Sequence, residues 1–410
     1  MGRPLGPVPG SCGRRHMRVL LVTGKGGVGK TTTAAATALR LARDGHRVVV
    51  TSADPAHSLA DSFDVDLGSA PTEVAPRCSA QQVDARQRFE DHWAEIRDWL
   101  LQVFDWAGVE SVEAEELAVL PGLDELFALT EIESLCASVD TDVVVVDCGP
   151  TAETIRLLSL PDVLGWYMDR LFPASRRLHR VVAPVLSRVG RLPMADDAVF
   201  AAGQRLYDRL DAVHRILADP RVTSARLVVN PERMVVAEAR RTFTQLSLFG
   251  YQVDAVIVNR VLPDGVADPW FDRWRATHAE HLDTVRGDFA PVPVLCSTLA
   301  PSDVVGVAAL TALGDELWSA HDPHDRLVER RPLRLERLGG DDYELSIELP
   351  FVDRSEVEVS RSGDELIVTL GAQRRALSLP ESLRRREVTS AAVADGALRV
   401  RFCERERMGA

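Results

Sequence analysis

The sequence predicts an α/β fold with a mainly parallel sheet, a helical insertion and a C-terminal antiparallel β-sandwich. Short apolar runs alternate with helical stretches over most of the chain, which is typical of a parallel sheet covered by helices. Two long helical stretches, about 86–138 and 160–217, interrupt this alternation, and beyond residue 342 apolar residues recur every second position. The expected parts are a disordered tail (1–16), a parallel-sheet domain with its helical subdomain (17–318), a linker (319–337) and a β-sandwich (338–405).

The predicted parallel strands are apolar runs at 18–23, 47–52, 142–147, 227–229, 255–259 and 292–295. Continuous rather than alternating apolar residues indicate strands that are buried on both faces. In such sheets the functional side chains gather at the carboxyl ends of the strands. The two long helical stretches carry aromatic stripes, which indicate either core-facing helices or a subdomain with an exposed apolar groove.

Bulk composition excludes several classes of function. A formal net charge of −13 argues against a nucleic-acid partner, which would require a basic face. No apolar run approaches the ~18 residues of a membrane span. The six cysteines form no C-x-x-C pair, as expected for free or buried thiols in a reducing compartment. We therefore expect a cytoplasmic protein, and the basic stretch 170–191 leaves peripheral membrane contact open.

Residues 24–31 read G-K-G-G-V-G-K-T and lie between a predicted strand and a predicted helix. This is the phosphate-loop (P-loop) pattern in the context that makes it credible, because backbone N–H groups and a helix N-terminus can then surround phosphates. Lys30 is expected to neutralise phosphate oxygens, and Thr31 to ligate Mg²⁺. The predicted ATP-binding residues are Gly24, Lys25, Gly26, Gly27, Val28, Gly29, Lys30, Thr31 and Thr32.

Lysine is almost absent outside this loop. Of the 48 basic Lys and Arg residues, the two lysines are Lys25 and Lys30, and every other one is arginine. An ammonium is a compact charge on a slim stem, whereas a guanidinium is a broad planar fork that a narrow loop does not accept. The composition therefore indicates a specific function for Lys25, although a P-loop does not require lysine there.

Two aspartates follow predicted strands. Asp54 lies in S-A-D-P-A-H-S-L (52–59), where its carboxylate can orient the water that attacks the γ-phosphate. A cap for the following helix is the alternative function of Asp54. Asp147 ends a run of four valines and is expected near Mg²⁺, directly or through a water. The loop behind it (148–154) can respond to the γ-phosphate.

These motifs resemble the ArsA family of ATPases, which includes arsenite-pump ATPases and guided-entry ATPases for tail-anchored membrane proteins. The resemblance rests on G-K-G-G-V-G-K-T-T, on S-A-D-P-A-H-S-L-A-D-S-F (52–63), on D-C-G-P-T-A-E-T-I-R-L-L-S-L-P (147–161) and on V-D-A-V-I-V-N-R (253–260). It implies a homodimer in which Lys25 reaches the partner's phosphates, Asp54 positions water and Asn259 contacts adenine. It also implies that residues 297–303 close over the base.

The chain departs from the family pattern at Ala152 and Glu153, where members often have Gly-His, and it lacks a zinc-binding C-x-x-C pair. Beyond residue 338 it resembles the α-crystallin domain of small heat-shock proteins. This second resemblance rests on Y-E-L-S-I-E-L-P (343–350), L-P-E (379–381) and D-G-A-L-R-V (395–400). No I-x-I tail follows, so assembly into large shells is not implied.

The leading hypothesis is a Mg²⁺- and ATP-dependent dimeric switch that captures and hands over a hydrophobic client, such as a segment of a membrane protein, to a receptor. An energising ATPase subunit for arsenite or antimonite efflux is the first alternative, disfavoured by the scattered cysteines. A positioning ATPase of the ParA/MinD kind is the second, disfavoured by the D-P-A-H segment and the long insertions. A scaffold that does not hydrolyse ATP remains the third.

Overall fold

A computed structural model of the chain describes residues 17–52, 58–82, 123–149, 197–265, 268–339 and 342–404. Its larger sheet has eight strands in the order β3-β4-β2-β5-β1-β6-β7-β8, parallel throughout except for the pair β3 and β4. The strands are β1 (Arg18–Gly24), β2 (Val48–Ser52), β3 (Thr72–Ala75), β4 (Cys78–Gln82), β5 (Val143–Asp147), β6 (Thr223–Val229), β7 (Val253–Val261) and β8 (Val294–Thr298). The predicted mainly parallel α/β fold is confirmed.

Helices connect these strands. They are α1 (Lys30–Arg43), α2 (Ser58–Phe63), α3 (Leu123–Ala137), α4 (Asp197–Ala218), α5 (Arg233–Leu248), α6 (Pro269–Phe289) and α7 (Gly306–Leu317). Helix α3 lies within the predicted helical stretch 86–138, and α4 coincides with the end of the stretch 160–217 and extends one residue beyond it. Residues 86–122 and 160–196 of these stretches are outside the described part of the chain. Among the described helices, none combines the length and apolar character of a membrane span.

The strand pair β3 and β4 was not expected from the sequence. Strand β4 contains Gln81 and Gln82, which are buried but polar, so no apolar run marks it. The amide nitrogen of Gln81 lies 3.3 Å from a carboxylate oxygen of Glu131 on α3 and 3.4 Å from the hydroxyl of Thr51 on β2. Hydrogen bonds thus replace apolar contacts here, and hydrophobicity alone does not reveal such a strand.

The C-terminal part is an antiparallel sandwich, as predicted. One sheet has the order β14-β15-β10-β9 and the other β11-β12-β13. The elements are β9 (Leu333–Gly339), β10 (Asp342–Glu348), β11 (Val357–Ser362), β12 (Glu365–Leu370), β13 (Gln373–Ser378), a short helix α8 (Glu381–Arg384), β14 (Arg386–Ala394) and β15 (Ala397–Glu404). Alternating side chains of both sheets form its core, including Leu345, Ile347, Val368 and Val400.

The predicted linker (319–337) differs from the structure at its end, because residues 333–337 belong to β9. This edge strand is largely exposed and carries Arg and Glu between its leucines, so its composition looks like that of a connecting segment. The sheet pairing of Leu335 with Leu345 on β10 shows where the sandwich begins.

The two domains meet along α5. Leu248 at its end is buried in the core of the sandwich, and its backbone oxygen accepts a hydrogen bond from Arg375. The hydroxyl of Thr244 donates to the backbone oxygen of Pro350. Next to these contacts, the ring of Phe351 lies 5.5 Å from that of Phe289 on α6. The α5 helix is therefore part of both domains.

A buried ion cluster joins three strands of the large sheet. A carboxylate oxygen of Asp254 on β7 is 3.5 Å from Arg226 on β6, and the other is 3.7 Å from Arg18 on β1. The guanidinium of Arg226 stacks 4.3 Å from the ring of Trp318 and donates to the backbone oxygen of Pro323. Burial lowers the pKa of Arg18 to about 10, although Asp254 opposes this shift. The cluster ties the segment after α7 to the sheet.

We predict that Asp254→Asn lowers the free energy of unfolding of the parallel-sheet domain by about 3–5 kcal/mol, because two buried guanidinium groups then lose their counter-charge. The matched control is Asp283→Asn on α6, whose pair with Arg286 is largely exposed, and it should change stability by less than about 0.5 kcal/mol. Urea denaturation of both variants checks this. Equal effects of the two substitutions would contradict a structural role for the cluster.

Candidate nucleotide-binding site

The glycine loop connects β1 to α1. Gly24 ends the strand with φ 151°, and a Cβ there would lie 2.2 Å from the backbone oxygen of Val228 on β6. Gly29 precedes the helix with φ 94°, and its Cβ would lie 2.3 Å from the side-chain nitrogen of Asn259. Only glycine satisfies both positions, because an added carbon would collide with a neighbouring strand end. Packing thus determines the narrow loop that the motif predicts.

The first turn of α1 places Lys30, Thr31 and Thr32 beside this loop. Lys30 is buried, and its Nζ lies 3.5 Å from the backbone oxygen of Lys25, so the ammonium folds back over the loop. The N-terminal end of a helix presents unpaired N–H groups and a partial positive charge. Together with the Lys30 ammonium, it gives a site suited to a phosphate group.

Oxygen-bearing side chains follow the neighbouring strands. The hydroxyl oxygens of Thr31 and Ser58, the first residue of α2, are 3.0 Å apart. At the end of β5, Asp147 is fully buried and accepts a hydrogen bond from the Ser52 hydroxyl at 3.3 Å. Hydroxyl and carboxylate oxygens are the ligands that Mg²⁺ prefers, so these residues fit that ion. Sequence reasoning did not select Ser52 or Ser58. Both lie next to the D-P-A-H motif, and that position could have indicated them.

The end of β7 holds the loop from the opposite side. The side-chain nitrogen of Asn259 donates to the backbone oxygen of Val28 at 2.8 Å. Its side-chain oxygen accepts from the hydroxyl of Ser297 on β8 at 2.8 Å and from the backbone N–H of Arg260 at 3.0 Å. The sequence resemblance implied an adenine contact for Asn259, and the structure adds a second task, which is to hold the loop in shape.

Arg260 is a residue of this site that sequence reasoning did not select. It adopts a left-handed backbone conformation with φ 60°, which is uncommon for a non-glycine residue. Its guanidinium donates to the backbone oxygen of Gly27 at 3.1 Å. Arg260 is part of the V-N-R motif, but the motif does not reveal its contact with Gly27, because the two residues are 233 positions apart in the chain.

Lys25 contacts an element outside the loop. Its side chain is 38% exposed, and its ammonium lies 3.9 Å from a carboxylate oxygen of Glu238 on α5. The structure therefore brings together the P-loop residues, Asp147 and Asn259, while the Lys25 ammonium lies beside Glu238 on α5. Asp54 and the loop residues 150–154 are outside the described part of the chain.

A glycine loop between the first strand and its helix, with strand-end hydroxyls and a buried aspartate beside it, defines a P-loop nucleotide-binding protein. Comparison with protein families narrows this class. Residues 17–319 match the family model described as anion-transporting ATPase (ArsA ATPase), and residues 340–402 match the HSP20-like domain found in ArsA. The chain belongs to the ArsA family and is an ATPase.

Relatives align along most of the chain. "Putative arsenical pump-driving ATPase 1" of Aquifex aeolicus is 35% identical over 387 residues, which are 92% of this chain and 98% of that protein. A protein of Prosthecochloris vibrioformis with the name "Putative arsenical pump-driving ATPase" is 36% identical, covering 94% of this chain and 96% of its own length. The "ATPase GET3B" of Arabidopsis thaliana is 31% identical, covering 73% of this chain and 78% of its own.

We predict that Asn259→Asp lowers the stability of the nucleotide-free protein, because a carboxylate oxygen then faces the Val28 backbone oxygen in place of an N–H donor. The expected loss is about 1–3 kcal/mol in the free energy of unfolding, with ATP affinity reduced at least about tenfold. Ser297→Ala is the control, since it removes one donor and leaves the Val28 contact in place. Differential scanning calorimetry and ATP titration measure both effects. An Asn259→Asp protein as stable as Ser297→Ala would contradict this function of the amide.

Proposed function

We propose that this ATPase is a homodimeric switch that uses Mg²⁺ and ATP to capture a hydrophobic client, a segment of a membrane protein, and to release it to a receptor. The observation that carries the dimer proposal is the placement of Lys25. The Lys30 ammonium lies over its own loop, whereas the Lys25 ammonium lies beside Glu238 on α5 and the Lys25 side chain is partly exposed. A lysine so placed is available to the nucleotide of a second subunit.

In this proposal the composite site explains why two lysines occur in one loop. Phosphoryl transfer spreads negative charge over the equatorial oxygens, and positive groups aimed at those oxygens lower the barrier. Lys30 supplies one such charge within the subunit, and the partner's Lys25 supplies another. The effect resembles that of an arginine finger, and hydrolysis then depends on the association of two chains.

Thr31 and Asp147 would hold Mg²⁺, and the hydroxyls of Ser52 and Ser58 lie in hydrogen-bond contact with them. When bound, the ion neutralises charge on the phosphate oxygens. Asp54 is proposed to orient the attacking water. In the sequence, Asp54 falls between Ser52, which ends β2 beside Asp147, and Ser58, which begins α2 beside Thr31.

The hydrophobic client is inferred from the aromatic stripes of the stretches 86–138 and 160–217 and from the C-terminal domain. The match of residues 340–402 to an HSP20-like domain supports a chaperone-like task. Relatives that carry the GET3 and ASNA1 names are consistent with this proposal.

Metalloid efflux is the second candidate, because relatives are named arsenical pump-driving ATPases. Such a function requires thiolates that can act as soft ligands. Burial raises the pKa of Cys78 and of Cys136 to about 12, so both thiols stay protonated at neutral pH. Among the described residues, no three His, Cys, Asp or Glu side chains form a cluster that could hold a metal ion. Stimulation of ATP hydrolysis by arsenite would favour this candidate.

We predict that Lys30→Ala abolishes ATP binding, whereas Lys25→Ala retains binding and loses turnover by about 10²-fold, since one transition-state charge is removed. Lys25→Arg should be similarly impaired, because the fork of a guanidinium does not replace a point charge in a narrow site. ATP titration and steady-state hydrolysis separate the two effects.

Mixing Lys25→Ala with Lys30→Ala tests the composite site directly. In a mixed dimer, the Lys25→Ala chain offers an intact P-loop and the Lys30→Ala chain offers Lys25, so one working site is rebuilt. We expect the mixture to regain activity that neither variant has alone. A mixture without such a gain would indicate that Lys25 acts in the active site of its own subunit, and it would contradict the proposal.

Client capture is tested with the Asp54→Asn protein, which we expect to bind ATP without hydrolysing it. A fluorescent 20-residue apolar helix should bind this variant at least about tenfold more tightly with ATP than with ADP. The control peptide has the same length, with two central leucines replaced by aspartates. Equal affinity in the two nucleotide states would contradict the switch.

A further inference from the structure

Helix α5 connects the P-loop to the C-terminal domain. Glu238 lies in its second turn, and one carboxylate oxygen is 3.9 Å from the Lys25 ammonium. Thr244 and Leu248 lie further along the same helix and contact the sandwich through Pro350 and Arg375. With a rise of about 1.5 Å per residue, Glu238 lies roughly 9 Å from Thr244 along the axis. The carboxylate is therefore carried by a helix that is fixed at its far end.

The charges around Lys25 favour this contact. The Lys30 ammonium lies against the backbone oxygen of Lys25, and the Arg260 guanidinium binds that of Gly27, so the loop is flanked by positive groups. These groups repel the Lys25 ammonium from its own loop. Glu238 offers the opposite charge on the outer side, and the two residues come from opposite halves of the sequence. The contact between Lys25 and Glu238 therefore depends on the tertiary fold.

The contact is also weak enough to be broken. At 3.9 Å, with side chains 38% and 29% exposed, the pair is long and partly open to water. Exposed ion pairs of this kind change an equilibrium only a few-fold. A triphosphate carries several negative charges and can compete successfully for the same ammonium.

Building on the proposed function, we propose that Glu238 is a positioning residue that holds Lys25 within its own subunit until the nucleotide of a second subunit takes it over. In the separate subunit, the pair keeps the ammonium at the outer side of the loop. On association, Lys25 leaves Glu238 and moves to the partner's phosphates. Glu238 thereby opposes dimer closure and, through it, lowers ATP hydrolysis at low protein concentration.

The test compares Glu238→Gln with Glu280→Gln, an exposed glutamate on α6 that serves as the matched control. Glu238→Gln should lower the protein concentration for half-maximal ATP hydrolysis roughly two- to fivefold, because dimer closure no longer breaks an ion pair. Turnover at saturating protein should remain that of the parent. Sedimentation velocity with a non-hydrolysable ATP analogue should show the same shift in dimer assembly. Glu280→Gln should change neither quantity.

A double-mutant cycle separates positioning from a general effect on the fold. In the Lys25→Ala background, Glu238→Gln should leave dimer assembly unchanged, since no ammonium remains to be held. Glu238→Asp should keep part of the restraint and lie between the parent and the glutamine variant.

Three results would overturn the inference. They are an unchanged or raised half-maximal concentration for Glu238→Gln, a lowered turnover at saturating protein, and a shift that persists in the Lys25→Ala background. Failure of the proposed function is distinguishable, because Lys25→Ala would then hydrolyse ATP at the parent rate or gain nothing from mixing with Lys30→Ala.

Discussion

The nucleotide site depends on the contact between the Asn259 amide and the P-loop. Its nitrogen binds the Val28 backbone oxygen, and a residue larger than glycine at position 29 would occupy the space of that nitrogen. The Ser297 hydroxyl and the Arg260 backbone N–H both donate to the amide oxygen and together orient the amide. The loop is therefore shaped by strands β7 and β8 as well as by its own glycines. A phosphate meets a site already formed, which reduces the ordering that binding would otherwise require.

The parallel sheet explains how residues from distant parts of the chain come together at this site. Parallel strands bring their carboxyl ends to one edge of the sheet, so the end of β1, the Asp147 end of β5 and the Asn259 end of β7 meet there. The buried pair of Asp254 with Arg226 holds the other side of the same strands to the segment after α7. Contacts at both ends of these strands thus support the position of the loop between them.

The sequence predicted much of the fold and the P-loop because these features depend on residues that are close together in the chain. Glycines, Lys30 and Thr31 lie together in one motif, and Asp147 directly follows four valines. Strand β4 was missed because its last two residues, Gln81 and Gln82, are buried but polar, and the Gln81 amide nitrogen bonds to Glu131 and Thr51. The start of β9 was missed because this exposed edge strand is rich in charged residues.

Contacts between distant positions could not be predicted in the same way. The Arg260 guanidinium binds Gly27, and Glu238 meets Lys25, only because β6, β7 and α5 pass beside the P-loop. Neither arginine nor glutamate is rare in this chain, so composition did not distinguish these two residues as it distinguished Lys25. The function of a common residue type in a tertiary contact has no local signature.

The burial of Leu248 within the sandwich has a consequence for any attempt to divide the protein. A fragment that stops before β9 would end α5 in an uncovered leucine and would leave the rings of Phe243 and Phe289 without their neighbour Phe351. Such an apolar patch invites self-association in water. An isolated ATPase half would thus need polar replacements along this helix before its oligomeric state could be interpreted.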